Sequence, residues 1–258
     1  MKISILITSY NKGKYIERCI VSCLKQNFTS FEIILVDNYS SDKTSSILKN
    51  YKNKIKIIYK KKISKYGSLN QINLIKYGLK KCKGKIICLL DGDDYFKENK
   101  IDAVYNCFIK SKKKVIFDSP YLLKNKKIKK IILKEKFQKH IWPQVINTSS
   151  ISIEKKFLEK ILKRYTFNKY YLLEIDFIIN VLSRNIYKNC KIINNYISIY
   201  RSVDNSIMSD QEKYSKKWFL KRGQAHSFMK KIYKTKKKKY NNFFDKNLTK
   251  LVNIIFNY

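Results

Sequence analysis

The first hundred residues alternate short, wholly apolar runs with longer stretches in which apolar residues return every three or four positions. Ile3 to Thr8, Phe31 to Val36, Ile55 to Tyr59 and Ile86 to Leu90 are too apolar for half-exposed strands. They predict strands buried on both faces. After the first run, Ile16, Cys19, Ile20, Cys23 and Leu24 stand at i, i+3, i+4, i+7 and i+8, the spacing of an amphipathic helix. A second helix carries Ile47, Leu48 and Tyr51, with Ser40, Ser41 and Asp42 as N-cap candidates. A third opens at Gly67-Ser68 and places Leu69, Ile72, Ile75 and Leu79 on one side, and Gly84 suits its C-terminal cap. The order βαβαβαβ predicts an α/β fold with a mostly parallel, Rossmann-like sheet and helices on both faces.

Beyond this point the rhythm changes. Lys97 to Lys110 predicts a helix; Val115 to Phe117 and Ile128 to Leu133 predict strands, with a hairpin across the lysine-rich stretch Lys124 to Lys130. Phe137 to Ser150, with Trp142-Pro143, predicts a loop. Ser152 to Lys163 and Tyr171 to Ser183 predict helices, and Ile192 to Tyr200 a strand ending in Arg201. From about Gln211 onward the chain predicts helix, interrupted by Lys236 to Lys239. The expected organisation is 1–110 as one half of a domain, 111–208 as its second half, and 209–258 as a basic helical extension.

Polar clusters fall where the apolar runs stop. Thr8-Ser9-Tyr10-Asn11, Asp37-Asn38 and Asp91-Gly92-Asp93-Asp94 all sit at strand carboxyl ends. In open parallel sheets ligands bind outside those ends. Three carboxylates around one glycine repel one another and gain nothing from a core. A divalent cation such as Mg²⁺ or Mn²⁺ makes them tolerable and keeps positions open for phosphate oxygens. The plain alternative is a solvated Asp-Gly turn.

Charge changes this picture less than its size suggests. The chain holds 57 Lys and Arg against 19 Asp and Glu, formally +38. That balance points to a polyanionic partner. Yet only Arg18, Arg164, Arg184, Arg201 and Arg222 are arginine, and base readout and bidentate phosphate clamps favour Arg. Abundant Lys, Ile, Asn and Tyr also fit the codon bias of an AT-rich genome. Neither Arg clusters interleaved with aromatics nor a Gly-rich phosphate loop is visible. A nucleic-acid-binding protein and a nucleotidyltransferase are therefore the weaker alternatives, and no specific nucleic-acid partner is expected. The six cysteines have no metal-ligand spacing and suit free, mostly buried thiols in a reducing cytoplasm. No stretch has the length of a membrane span and no secretory leader is evident. His140 and His226 fit no metal or triad spacing, and surface roles are expected for both.

Three stretches together resemble the family 2 glycosyltransferases of the GT-A fold: Ser4 to Lys12, Glu32 to Thr44, and Leu89 to Asp94. The resemblance is specific over about residues 1 to 110 and fainter to about residue 210. It implies transfer of a sugar, with inversion, from a nucleotide-diphosphate donor, a UDP-sugar by expectation, to an acceptor hydroxyl on a glycan or lipid-linked glycan. The pathway it implies is bacterial surface polysaccharide or glycolipid assembly. Carried over by position, Thr8 and Tyr10 would cradle the base and Asp37 would hydrogen-bond its ring. Asp91, with Gly92, would face the ribose, and Asp93 would bind the metal, aided by Asp91. Asp94 would orient the loop. Asn11, Asn70 and Lys65 lie where donor contacts are common. Local roles stand beside these: Thr8 and Asn11 as helix caps, Asp37 as a turn residue.

The acceptor hydroxyl needs a carboxylate to take its proton. The family carries that base at a helix start. The corresponding run here is Leu173-Glu174-Ile175-Asp176-Phe177, making Glu174 the expected base and Asp176 the second candidate. The alternative is a helix-start acid favoured by the dipole. Tyr200-Arg201 resembles a later family segment, in which Arg201 would support the diphosphate or simply end a strand. Val203 stands where some members carry a metal-assisting His. Trp142 is a candidate acceptor platform or a loop anchor. The C-terminal aromatics Trp218, Phe219 and Phe228 among lysines suit either a helix packed on the domain or one lying on an anionic membrane surface.

Overall fold

The computed structural model describes residues 2–133, 147–164, 167–203, 214–235, 240 and 242–255, except the side chain of Asn185. Trp142, His140, most of the expected 137–150 loop, the Lys236 to Lys239 run and Asp204 onward to 213 lie outside the described residues.

The expected βα repeat forms. Strands β1 (Ile3–Ser9), β2 (Phe31–Asp37), β3 (Lys56–Tyr59) and β4 (Ile86–Asp91) alternate with helices α1 (Ile16–Leu24), α2 (Thr44–Lys49) and α3 (Gly67–Leu79). Next come β5 (Tyr95–Phe96), α4 (Lys100–Ser111), β6 (Val115–Asp118), β7 (Tyr121–Lys124) and β8 (Lys127–Lys130). The rest is β9 (Ile151–Glu154), α5 (Lys155–Arg164), α6 (Ile175–Asn180), β10 (Cys190–Ile193), β11 (Ser198–Arg201), α7 (Lys216–Thr235) and α8 (Phe243–Ile255).

A seven-stranded sheet runs β10-β6-β9-β4-β1-β2-β3. All its pairs are parallel except those of β9, which is antiparallel to β4 and β6. Chain order moves outward from β1 through β2 to β3, then returns to β1's other side at β4, so the switch point lies between β1 and β4. Alternation along the strands divides the core into two layers. Ile3, Ile5, Ile7, Ile86, Cys88 and Leu90 pack with α1, α2 and α4. Leu6, Ile87 and Leu89 pack on the opposite face with α3, α5, α6 and α7. Gly78 lets α3 sit close: a Cβ there would fall 2.4 Å from Leu6 Cδ1.

Several expectations need correcting. Ser152 does not open a helix; Ile151–Glu154 is a central strand, because its period-two pattern finds open edges on β4 and β6. The hairpin joins β7 to β8, not to Val115–Phe117, across Asn125 and Lys126 at φ of 47° and 61°. Left-handed residues at both turn positions match the twist of paired strands. The run from Ile192 to Tyr200 splits into β10 in the large sheet and β11 in a separate sheet ordered β5-β11-β7-β8. Helix α6 starts at Ile175 rather than Tyr171 and continues as a π-helical turn over Val181–Ile186. Gly84 is not a helix cap. It lies where a Cβ would meet Ser4 N at 2.5 Å. His226 is buried, bonded through Nδ1 to the Tyr240 hydroxyl at 2.8 Å. All six cysteines are free thiols, five of them buried.

Candidate active site at the carboxyl edge of the sheet

Register brings the first and third polar clusters together. Thr8 pairs with Asp91 across the β1–β4 ladder, and Ser9 pairs with Asp37 across β1–β2. Thr8 and Asp91 lie two residues beyond Leu6 and Leu89, so they point toward α3. There Thr8 Oγ1 donates to Asp91 Oδ1 at 3.0 Å, and Gln71 Nε2 of α3 donates to the same oxygen at 2.7 Å. Burial, then the charge of Asp93, pushes the Asp91 carboxyl up to about 6.

The three carboxylates of the β4–β5 turn have separate surroundings. Gly92 N donates to Thr8 O at 2.9 Å, tying the turn to β1. Asp93 Oδ2 accepts from Lys12 Nζ at 2.5 Å, and its backbone carbonyl accepts from Arg201 Nε at 3.1 Å. Asp94 turns inward and is buried. It accepts from Ser149 Oγ at 2.5 Å and from Arg201 N at 2.7 Å. Burial and the two neighbouring aspartates hold its carboxyl well above the usual range. Asp94 therefore joins β4, β11 and the 3-10 turn Thr148–Ser150.

Asp37 is fully buried; its two oxygens accept from Ser40 N and Ser40 Oγ, each at 2.7 Å. Asn11, at φ 51°, accepts from Ser41 N at 2.9 Å and donates its own N–H to Ser40 Oγ at 2.8 Å. These bonds lock the loops after β1 and β2 into one rim. Tyr10, 39% exposed, shows its ring at that rim beneath Lys62 Nζ, 3.6 Å from the centroid. Asn70 makes its bonds to the loop before α3, accepting from Ile63 N and Ser64 N and donating to Ser64 O. Lys65 lies over the Tyr66 ring.

Arg201 lies between the rings of Tyr15 and Tyr95, 4.8 and 5.9 Å from their centroids. Glu174 is the N-cap position of α6, buried, and ion-paired with Lys221 Nζ of α7 at 2.5 Å. Asp176 is partly buried, and burial, then the Glu174 charge, pushes it up to about 8; the charge of Asp91 adds to the rise. Sequence reasoning missed Gln71, Ser149 and Lys221. Gln71 had a signal, lying one helix position beyond Asn70; the other two had none nearby.

Whether these residues fit a divalent cation turns on Asp91 and Asp93. Their mutual repulsion marks negative charge that a cation would relieve, and carboxylate oxygens are the donors hard cations take. Among the described residues no three His, Cys, Asp or Glu side chains converge as a metal cage. Asp94's inward turn is the reason within the turn itself. The fit is to a sparse site, completed by oxygens of a ligand.

The fold is that of the GT-A class of glycosyltransferases, as its superposition on solved structures shows. The chain belongs to glycosyl transferase family 2, whose model matches residues 4–151. It is 34% identical over 106 residues to the glycosyltransferase GlyG of Streptococcus pneumoniae, a match spanning 40% of this chain and 34% of that protein. It is also 34% identical over 106 residues to the poly(ribitol-phosphate) β-N-acetylglucosaminyltransferase TarS of Staphylococcus aureus, spanning 40% of this chain and 18% of that one. The matched stretch is thus about a third or less of those relatives' length. Among solved structures, residues 1–349 of S. aureus TarS with UDP-GlcNAc superpose at TM-score 0.63 and 17% identity, over 88% of this chain and 66% of that one. The mannosyltransferase PcManGT of Pyrobaculum calidifontis with GDP-Man and Mn2+ superposes at 0.61 and 11% identity, over 89% and 64%.

Proposed function

We propose that the protein transfers a sugar, with inversion, from a nucleotide-diphosphate donor to an acceptor hydroxyl in bacterial surface polysaccharide or glycolipid assembly. A UDP-sugar is the proposed donor, a glycan or lipid-linked glycan the acceptor, and the cytoplasm the compartment. The observation that carries this reading is the gathering of Thr8, Asp37, Asp91 and Asp93 along one sheet edge beside the switch point. The relatives named for nucleotide-sugar chemistry support it.

In this reading Tyr10 offers its exposed face to the base, and Asp37, fully buried, does not reach the ring as expected but holds Ser40 and with it the rim beside the base. Asp91, oriented by Thr8 and Gln71, faces the ribose, with Gly92 keeping the backbone close. Asn11 and Asn70 hold the rim and the 63–64 loop in the shape that receives the donor. Asp93, with Asp91, would hold Mn²⁺ or Mg²⁺, which would offset the charge growing on the departing diphosphate. Lys12 and Arg201 bring positive charge to the same turn. Burial, then the charge of Glu174, raises the Asp176 carboxyl to about 8. Glu174, at the N-cap position of α6 and fixed in place by Lys221, is the proposed acceptor of the hydroxyl proton. Nucleophilic attack from the face opposite the leaving group gives inversion.

Thermal unfolding with nucleotides and nucleotide sugars, with and without Mn²⁺, tests the assignment, since a ligand of the native state alone must raise Tm. A nucleoside diphosphate should raise Tm in the presence of Mn²⁺, and the rise should vanish in Asp93→Ala. An unchanged Tm with every nucleotide would sink the reading.

A further inference from the structure

Helix α8 is packed the opposite way round from an ordinary surface helix. At 3.6 residues per turn, Phe244, Leu248, Leu251 and Ile255 fall in one stripe, with Phe243 and Ile254 beside it. They are exposed by 81%, 45%, 56%, 67%, 81% and 59% respectively. The face that meets α7 is polar. Asp245 accepts from Arg222 Nε at 2.9 Å and lies 2.8 Å from His226 Nε2. Thr249 is buried, and Asn253 Nδ2 donates to Phe219 O at 3.3 Å. Gly223 of α7 marks the closest approach, where a Cβ would sit 2.7 Å from Asn253 Nδ2.

A surface helix normally buries its apolar stripe and wets its polar one. Scattered exposed apolar residues need no explanation, but six on one helix form a contiguous patch, which marks an interaction surface. Rolling α8 to hide the stripe would break the Arg222–Asp245 pair and bury Asp245 without a partner. The inward polar contacts thus hold the stripe outward. Helix α7 is different: Phe228, Met229 and Ile232 are buried in the core, so this helix packs on the domain and does not face a membrane through those residues.

Charge says what covers the stripe. Lys246 and Lys250 lie on the α7 side of α8, and with Lys169 and Lys230 they line a recess of about 550 Å³ between the two helices. The chain's formal charge is +38. An apolar stripe bordered by ammonium groups fits the boundary of a bilayer carrying anionic headgroups. The rings and branched chains enter the acyl region while the lysines meet phosphates. We infer that α8 is a membrane-docking helix that lies in the surface of an anionic bilayer. The inference is independent of the sugar-transfer chemistry, since none of these residues belongs to the sheet-edge site.

Co-sedimentation of the full chain with vesicles tests it. Wild-type protein should bind phosphatidylcholine–phosphatidylglycerol vesicles and bind pure phosphatidylcholine weakly. Phe244→Ser with Leu251→Ser leaves net charge and the α7 contacts intact and should lower partitioning at least about tenfold, as expected for two large apolar side chains. In Leu248→Trp, indole emission should move to the blue on adding the anionic vesicles. Circular dichroism and Tm of each variant should match wild type, because the altered side chains face solvent. Equal binding by the double serine variant would mean that bulk charge alone attracts the protein, and would overturn the inference. So would no binding by wild type, or a dimer in light scattering that the double variant abolishes without any vesicle binding.

Discussion

Two acidic clusters, one in the turn after β4 and one at the start of α6, neutralise themselves differently. In the turn after β4, one carboxylate of three is taken out of play: Asp94 is buried among Ser149, Arg201 N and Asn147. Asp93 is left with one lysine and Asp91 with neutral donors. At the start of α6, one carboxylate of two is paired with an ammonium, Glu174 with Lys221, and the other is raised to about 8 by burial and then by the Glu174 charge. The contrast teaches that adjacent acids in sequence do not share a role. Hydrogen-bond environment separates the acid that builds the site from the acid left for a ligand, and the paired acid from the one that tunes it.

The strongest break in that comparison comes from the α6 pair. Glu174→Gln keeps the shape of the N-cap side chain and removes the proton acceptor. Transfer rate should fall by about 10²- to 10⁴-fold, the usual weight of a general base, with KM for the donor little changed. Steady-state kinetics at fixed donor would check it. A larger loss in Asp176→Asn than in Glu174→Gln would exchange the roles assigned to the two.

Within the β4 turn the comparison divides stability from function. Asp94→Ala leaves the Ser149 hydroxyl and Arg201 N–H buried without their acceptor, at roughly 1–3 kcal/mol for each orphaned group. The expected loss, read from urea unfolding, is therefore about 2–6 kcal/mol. Asp93→Ala removes only its pair with the partly exposed Lys12 and should change stability by less than about 1 kcal/mol. Comparable losses in both variants would show that the turn does not distinguish its acids as described.

The same contrast explains what could be foreseen. The first four strands and three helices were legible because each βα unit carries its own apolar code, and the strand ends fixed where Thr8, Asp37 and Asp91 had to converge. The strand β9 was not legible. Its pattern Ile151-Ser152-Ile153 is short, and the open edges it fills belong to β4 and β6, far away in the chain. The split of β10 from β11 turns on Tyr196 at φ 49°, a residue type that gives no hint of left-handed backbone. The Lys221 partner of Glu174 is 47 positions distant, and one lysine among many announces nothing. The candidate base was visible as a residue, but the group that holds it in place was not.

Asp176 gives the finest test of the contrast between the clusters. Its carboxyl is raised in the folded protein to about 8, from the ordinary aspartate value of 3.8, by burial and then by the Glu174 charge. The folded state therefore binds this proton more tightly than the unfolded chain. The resulting stability is fully present below about pH 3.8 and is lost as pH rises through about 8. Asp176→Asn cannot ionise, so its stability should fall less steeply across that window. The variant should gain on wild type by roughly one to a few kcal/mol between pH 5 and pH 9 in urea titrations. Asp91 and Asp94 are raised too, but they titrate in both proteins and cancel in the difference. Parallel curves for the two proteins would mean that Asp176 is already ionised near neutral pH. The raised carboxyl at the start of α6 would then not exist.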